Sequence, residues 1–274
     1  MNFSIERKKS GSIIWSVDQE RYIVSEYSKG ISATEIGRRF KVSGETIRTF
    51  LRKRGIKTRG YREQAIVSHP RKSNIFSNID TKEKAYWLGF LYADGCVSSK
   101  NNTVSITSKD ENIVLGFKEF IGASNTRIST SIDKRFSGDP KSLYHFSIKD
   151  AVMKRDLIRM GVVPNKSLVL EAPKLLREDL VHHFIRGYLD GDGSIHLTHN
   201  QTRIRVSLVG TKSVLNWIKD NLSIVNSLED RGSHFCLQSA SESKILEILS
   251  LLYLDSEGIR LERKYNIYKN FFKL

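Results

Sequence analysis

The chain has 274 residues, with 45 Lys/Arg against 30 Asp/Glu and a formal net charge of +15. That excess points to a polyanionic partner, nucleic acid before membrane, and the length allows two or three small domains with real cores. Two cysteines, Cys96 and Cys236, exclude a cysteine-based zinc site and weigh against a disulfide framework. No apolar stretch would span a bilayer or serve as a secretory signal, so a soluble, intracellular protein is expected.

The first 80 residues carry 17 Lys/Arg against 8 Asp/Glu, and three helices are predicted there. The first opens at Ser16, with Gln19 three residues on as a capping box, and stops at Gly30. Ser32 and Glu35 open the second in the same way, with Ile36 and Phe40 on one face. After a turn at Lys41-Val42-Ser43, the third runs from Glu45 to Arg54 and buries Ile47 and Leu51. Helix, short turn and basic helix make an all-α helix-turn-helix domain over residues 1–60, similar to those of resolvases and transposases. Its outer face offers Thr46, Arg48, Thr49 and Arg52 to a major groove. The alternative is a small bundle with a solvated basic face; the crowding of Arg48, Arg52, Lys53, Arg54, Lys57 and Arg59 favours DNA. Residues 61–80 lack periodicity, contain His69-Pro70, and read as a basic linker.

A nine-residue pattern then occurs twice. Trp87-Leu88-Gly89-Phe90-Leu91-Tyr92-Ala93-Asp94-Gly95 is the first copy, and Ile185-Arg186-Gly187-Tyr188-Leu189-Asp190-Gly191-Asp192-Gly193 is the second, 98 positions on. Each predicts an apolar helix with small residues four apart, Gly89 and Ala93 or Gly187 and Gly191, a spacing that lets helix backbones approach closely. The Gly after each Asp suits a left-handed C-cap. Packed side by side, the helices would bring Asp94 and Asp192 together at their negative ends. Such a pair favours a hard divalent cation such as Mg²⁺. Lys166 follows Asp94 by 72 residues and Lys264 follows Asp192 by 72. Arg186 is out of place in an apolar helix, facing either solvent or phosphate.

Residues 81–165 and 178–274 each predict an αββαββα unit in an α+β fold. Val104 and Ile106 alternate with Thr103, Ser105, Thr107 and Lys109. Ile128 and Ile132 alternate with Arg127, Ser129 and Ser131, and Phe146 and Ile148 with His145, Ser147 and Lys149. In the second unit Ile204, Val206 and Leu208 alternate with Arg203, Arg205 and Ser207. Period two with one apolar face means antiparallel strands backed by helices. The opposite face is basic and poor in acids, as a sheet entering a major groove requires. Lys109, Arg127, Lys149, Arg203 and Arg205 are its candidate DNA contacts.

The repeated motif resembles that of the LAGLIDADG homing endonucleases in their single-chain, two-motif form, over roughly residues 81–274. The resemblance implies a pseudo-twofold monomer that cuts both strands of a long, specific double-stranded DNA site in a Mg²⁺-dependent reaction, leaving short 3′ overhangs. It implies that Asp94 and Asp192, with the main-chain carbonyls of Ala93 and Gly191, hold the metal, each Asp serving one strand. By the same resemblance Lys166 and Lys264 stabilise charge or organise water; without it, each is a surface cation after a helix. Tyr92 stands where the second copy has Asp190, a position that is not a metal ligand in the family.

Weaker patterns carry less. Asp190-Gly191-Asp192 looks like the start of a calcium loop, but the twelfth position is Gln201 rather than Glu. His182-His183 reads as packing or capping, and His196 and His199 as DNA contacts or plain surface. Two alternatives to the endonuclease remain open: a non-cleaving DNA-binding regulator with the same fold, and an RNA maturase that assists splicing of its intron. The paired carboxylates argue against the regulator, because binding alone would not keep that repulsion.

Overall fold

The computed structural model describes residues 5–133, 141–198, 200–239 and 241–274. They divide into two compact units, with the boundary between Arg71 and Lys72.

The smaller unit begins with a hairpin that the sequence does not announce, β1 (Glu6–Arg7) against β2 (Ile13–Ile14). Three helices follow: α1 (Val17–Ser28), α2 (Ala33–Arg39) and α3 (Gly44–Lys53). Ser16, Ser32 and Ser43 each accept a hydrogen bond from an amide of the first turn, and Ser16 and Gln19 complete the expected capping box. Ile23, Ile36, Phe40, Ile47 and Leu51 form the core. Residues 61–80 are not a linker. Tyr61–Ser68 form helix α4, tied to the α1–α2 turn by the Gln64 amide donating to the Gly30 carbonyl at 2.9 Å. Beyond the boundary, Ile75, Phe76 and Ile79 are buried in the larger unit's core, and the Lys72 amide bonds the Ile121 carbonyl. Both pieces escape periodicity because a helix of two turns and three isolated apolar residues are too short to show one.

The larger unit contains the two predicted αββαββα halves. The first runs α5 (Lys82–Ala93), β3 (Gly95–Val97), β4 (Thr103–Ser108), α6 (Glu111–Phe120), β5 (Ser129–Asp133), β6 (Lys141–Lys149) and α7 (Ala151–Arg159). The second runs α8 (Val181–Asp192), β7 (Gly193–Thr198), β8 (Arg203–Gly210), α9 (Lys212–Asn221), β9 (Glu229–Asp230), β10 (Phe235–Ser239) and α10 (Glu242–Tyr253), and adds α11 (Glu262–Phe272). Each sheet has four antiparallel strands, ordered β3-β4-β6-β5 and β7-β8-β10-β9. Val104 pairs with Ile148 and Ile106 with Phe146, so the apolar phase points at the helices as the alternation predicts. Ile132 keeps that phase, but it is 60% exposed; its partner Ser142 is exposed too, so these strands run past the core.

Helices α5 and α8 pack against each other in the unit, and every residue of α5 from Ala85 to Ala93 is buried. A Cβ on Gly89 would fall 1.9 Å from the Phe184 carbonyl oxygen, and one on Gly187 would fall 1.9 Å from that of Tyr86. The small-residue stripe is therefore a requirement of backbone approach. The glycines after the motif differ from expectation: neither Gly95 nor Gly193 has positive φ, and Gly193 is extended at φ −98. They are needed because a Cβ at either would lie 2.5 Å from the carbonyl oxygen of Leu91 or Leu189, where a strand begins directly on the helix end. No helix among the described residues is long and apolar enough to cross a membrane.

Candidate functional site

The close crossing of α5 and α8 delivers both helix C-termini to one place. A Cβ on Gly191 would meet the Ala93 Cβ at 2.3 Å and the Asp94 amide nitrogen at 3.3 Å. Asp94 caps α5 and Asp192 is the last residue of α8, and both are exposed. The structure thus brings the two predicted acids together. Protein crowding on their inner side strips water from both carboxylates and raises their pKa. For Asp192, reinforced by the Asp94 charge, the value reaches about 6. Two carboxylates meet there at two negative helix ends, and the nearby charges of Lys166 and Lys264 oppose but do not cancel the upward shift.

The two predicted lysines reach this site differently. Lys166 opens a single 3-10 turn, Lys166–Leu168, and its ammonium donates to the Ala93 carbonyl. It is half-buried; burial lowers its pKa, while the charges of Asp192 and Asp94 oppose the shift. Lys264 does not follow its half's last helix as a surface cation. It lies in the first turn of α11 and is 3% exposed. Its ammonium donates to the carbonyls of Leu189 at 2.6 Å, Asp190 at 2.9 Å and Gly193 at 2.6 Å. Burial pulls its pKa down to about 8, so it remains charged at neutral pH. All three of its donors are engaged as a C-cap of α8.

Beneath the carboxylates lies a polar layer between the halves. Asp190, 3% exposed, accepts from the Tyr86 hydroxyl at 2.9 Å and from the Leu261 amide at 2.7 Å, and burial pushes its pKa up to about 6. Its counterpart Tyr92 donates to the Met160 carbonyl at 2.7 Å. Each residue therefore anchors the chain end of its own half. Arg186 faces neither solvent nor phosphate: it is fully buried. It donates to the Ile259 carbonyl at 3.0 Å, the Leu252 carbonyl at 2.7 Å and His183 Nδ1 at 2.9 Å. His183 has its pKa lowered to about 4 by burial and by His182 and Arg186, so it is the neutral acceptor of that bond. His183 is thus buried and held by Arg186.

Asp94 and Asp192 offer oxygen donors of the type a hard divalent cation takes. Among the described residues no group of three or more His, Cys, Asp or Glu surrounds a metal position. The site therefore fits a cation that takes its remaining ligands from water and a phosphate, as Mg²⁺ does, and not an all-protein cage. Of the two expected carbonyl ligands, Ala93 is engaged by Lys166.

Of the predicted contact residues, Lys149, Arg203 and Arg205 lie on strands, while Lys109 directly follows β4 and Arg127 precedes β5. Lys109, Arg127, Lys149, Arg203 and Arg205 are all exposed. Arg205 pairs across the strands with His196, and Arg203 with Thr198. His145 bonds Thr107 at 2.9 Å on the first sheet's outer face. His196 and His145 thus share the basic faces, a placement their alternation with apolar neighbours already signals; His199 lies outside the described residues. Asp133 is an unexpected acid here, 4.0 Å from Lys109. In the smaller unit Thr46, Arg48, Thr49 and Arg52 share the outer side of α3. Glu45 pairs there with Arg48 at 2.7 Å and also with Arg52. Arg59 is structural: it lies 3.9 Å over the Tyr27 ring and donates to the carbonyls of Tyr27 and Ile31.

Comparison with known proteins places part of this architecture. Residues 81–161 match the family described as LAGLIDADG-like domain. The replication factor C small subunit of Methanocaldococcus jannaschii is 28% identical over 123 residues, 44% of this chain but 6% of that protein's length. Among solved structures, the homing endonuclease I-WcaI bound to its DNA recognition sequence is 13% identical, with a TM-score of 0.49. That alignment covers 69% of this chain and 87% of the other. The N-terminal LAGLIDADG domain of DUF199/WhiA is 15% identical, with a TM-score of 0.42, covering 66% and 87%.

Proposed function

We propose that this chain, which carries a LAGLIDADG-like domain at residues 81–161, is a site-specific double-strand DNA endonuclease of the homing type that uses a divalent cation. The observation that carries this reading is the meeting of Asp94 and Asp192 at two abutting helix C-termini. Two carboxylates at two helix C-termini repel one another. Lys166 and Lys264 offset that charge only in part, since both acids still have raised pKa values, and such a pair suits a bound cation.

In this reading Asp94 and Asp192, with the Gly191 carbonyl, hold Mg²⁺, and each Asp serves one strand. A cation bound there supplies an activated water and neutralises charge on the phosphate. Lys166, beside both acids, stabilises charge on the reacting phosphate. The outer sheet faces seat the duplex through Lys109, Arg127, Lys149, Arg203 and Arg205. Helix α3, as the reading element of a helix-turn-helix, lengthens the site through Thr46, Arg48, Thr49 and Arg52. Both acids come from one chain, so the protein acts as a monomer. Lys264 is a positioning residue, since its donors hold the end of α8 that bears Asp192.

One observation favours a second reading, a DNA-binding regulator that does not cut. Both lysines donate to main-chain carbonyls of the motif helices, as purely structural caps would. Selection of duplexes from a random library in Ca²⁺, followed by exchange into Mg²⁺ and sequencing of new ends, separates the two. Staggered breaks at one point of an enriched long motif, absent for Asp94→Asn, establish the endonuclease. Enrichment without breaks assigns the regulator, and binding confined to intron RNA assigns a maturase.

A further inference from the structure

The smaller unit contains a groove of about 790 Å³ lined by Arg7 and Lys8 of the hairpin and by Thr46, Thr49 and Lys53 of α3. Glu20 and Glu45 line it too, each held in ion pairs with arginines. The hairpin is firmly placed. Trp15, directly after β2, packs edge-on against Phe40 at 5.4 Å and against Phe50 at 5.7 Å, and Ile5 packs on the same core. The turn closes through the Lys8 amide on the Ser12 carbonyl and the Gly11 amide on the Lys8 carbonyl, both at 2.8 Å. Gly11 sits at φ +82, where glycine is favoured. A two-residue ladder alone would not persist in water; here the aromatic anchor fixes it beside α3.

The charge of this unit is distributed differently from what the sequence suggests. Glu45 offsets Arg48 and Arg52, Glu20 pairs with Arg54, and Arg59 is committed to main-chain carbonyls. Lys8, Lys9 and Lys53 are exposed, and Lys8 and Lys53 line the groove. We infer that the hairpin is a second nucleic-acid contact of this unit. A phosphate strand of duplex DNA lies in the groove, α3 enters the adjoining major groove, and Lys8 and Lys9 neutralise phosphates that the paired arginines of α3 leave uncompensated. This rests on the DNA reading proposed above. Duplex DNA is the partner because the B-form major groove admits a helix, whereas the deep, narrow one of duplex RNA does not.

The test uses the full chain and a mixed-sequence DNA duplex, with affinity measured by fluorescence anisotropy in Ca²⁺ across a salt series. Every phosphate that is no longer neutralised makes the slope of log K against log salt shallower by about 0.9. The double variant Lys8→Ala/Lys9→Ala is thus expected to flatten it by about 2. Both side chains are exposed, so folding is not at stake. An unchanged slope, with the parent still binding DNA, overturns the hairpin's role and leaves the endonuclease reading standing. Failure of the parent to bind any duplex DNA removes both. Tighter binding to duplex RNA, abolished in the double variant, overturns the choice of DNA.

Discussion

Tyr86 donates its hydroxyl to Asp190 Oδ2 at 2.9 Å across the junction of the two motif helices. It therefore ties the first half to a carboxylate that also holds the Leu261 amide of the second. Both residues are buried. Tyr86→Phe keeps the ring and its edge-on contact with Trp87 at 5.1 Å, but leaves a buried carboxylate with one donor fewer. The expected loss of stability is about 1–3 kcal/mol, read from urea unfolding, with DNA affinity per folded molecule unchanged. A neutral result would mean that water replaces the hydroxyl at this junction.

Helix approach makes the second prediction. Gly187→Ala places a methyl 1.9 Å from the Tyr86 carbonyl oxygen and 2.8 Å from the Phe90 amide nitrogen. These are backbone atoms, which cannot swing aside, so the helices must separate. Overpacking of this kind costs about 3 kcal/mol or more, and it also moves Asp192 away from Asp94. Unfolding midpoint and Mg²⁺-dependent cleavage should fall together. Gly116→Ala is the control, since its added Cβ would meet only the Trp87 ring, at 3.4 Å.

The two lysines at equal offset from their acids should separate in their effects. Lys264→Met leaves three carbonyls facing a buried apolar side chain and should destabilise by about 3–5 kcal/mol, the range for unpairing buried charged partners. Lys166→Met removes one bond of a half-buried side chain. It should cost about 1 kcal/mol while slowing cleavage of at least one strand strongly. Circular dichroism melts beside a nicking assay on supercoiled plasmid check both. Equal destabilisation by the two would show that Lys166 is only a cap.

Much of this site is legible in the sequence, because the determinants are local. Small residues four apart fix the crossing, an Asp ends each helix, and alternation fixes which strand face turns away from the helices. The misreadings concern residues whose partners are far along the chain. Arg186 is indistinguishable from a surface arginine until Leu252 and Ile259 supply carbonyls. Lys264 looks exposed until α11 folds it under α8. The N-terminal hairpin is hidden for another reason: two-residue strands have no period to read, and its anchor Trp15 acts through contacts with Phe40 and Phe50.

The paired carboxylates carry a last prediction, in which stability and activity move in opposite directions. Asp192 and Asp190 have folded-state pKa values of about 6, above the ordinary 3.8 of an unfolded chain. Between these values the folded protein binds more protons than the unfolded one. Stability therefore falls as pH rises through the window from about 4 to about 6 and levels off above it. Asp192→Asn should flatten part of that slope. It should also raise the melting temperature at pH 7 slightly, by no more than about 1 kcal/mol in stability for an exposed repulsive pair, while double-strand cutting is abolished. Mg²⁺ should raise the melting temperature of the parent by linkage, since a ligand of the folded state alone stabilises it, and this increment should vanish in Asp94→Asn/Asp192→Asn. A parent protein indifferent to Mg²⁺ in the absence of DNA would show that the cation enters only with the phosphate, and a lower melting temperature for Asp192→Asn would show that the two acids do not repel.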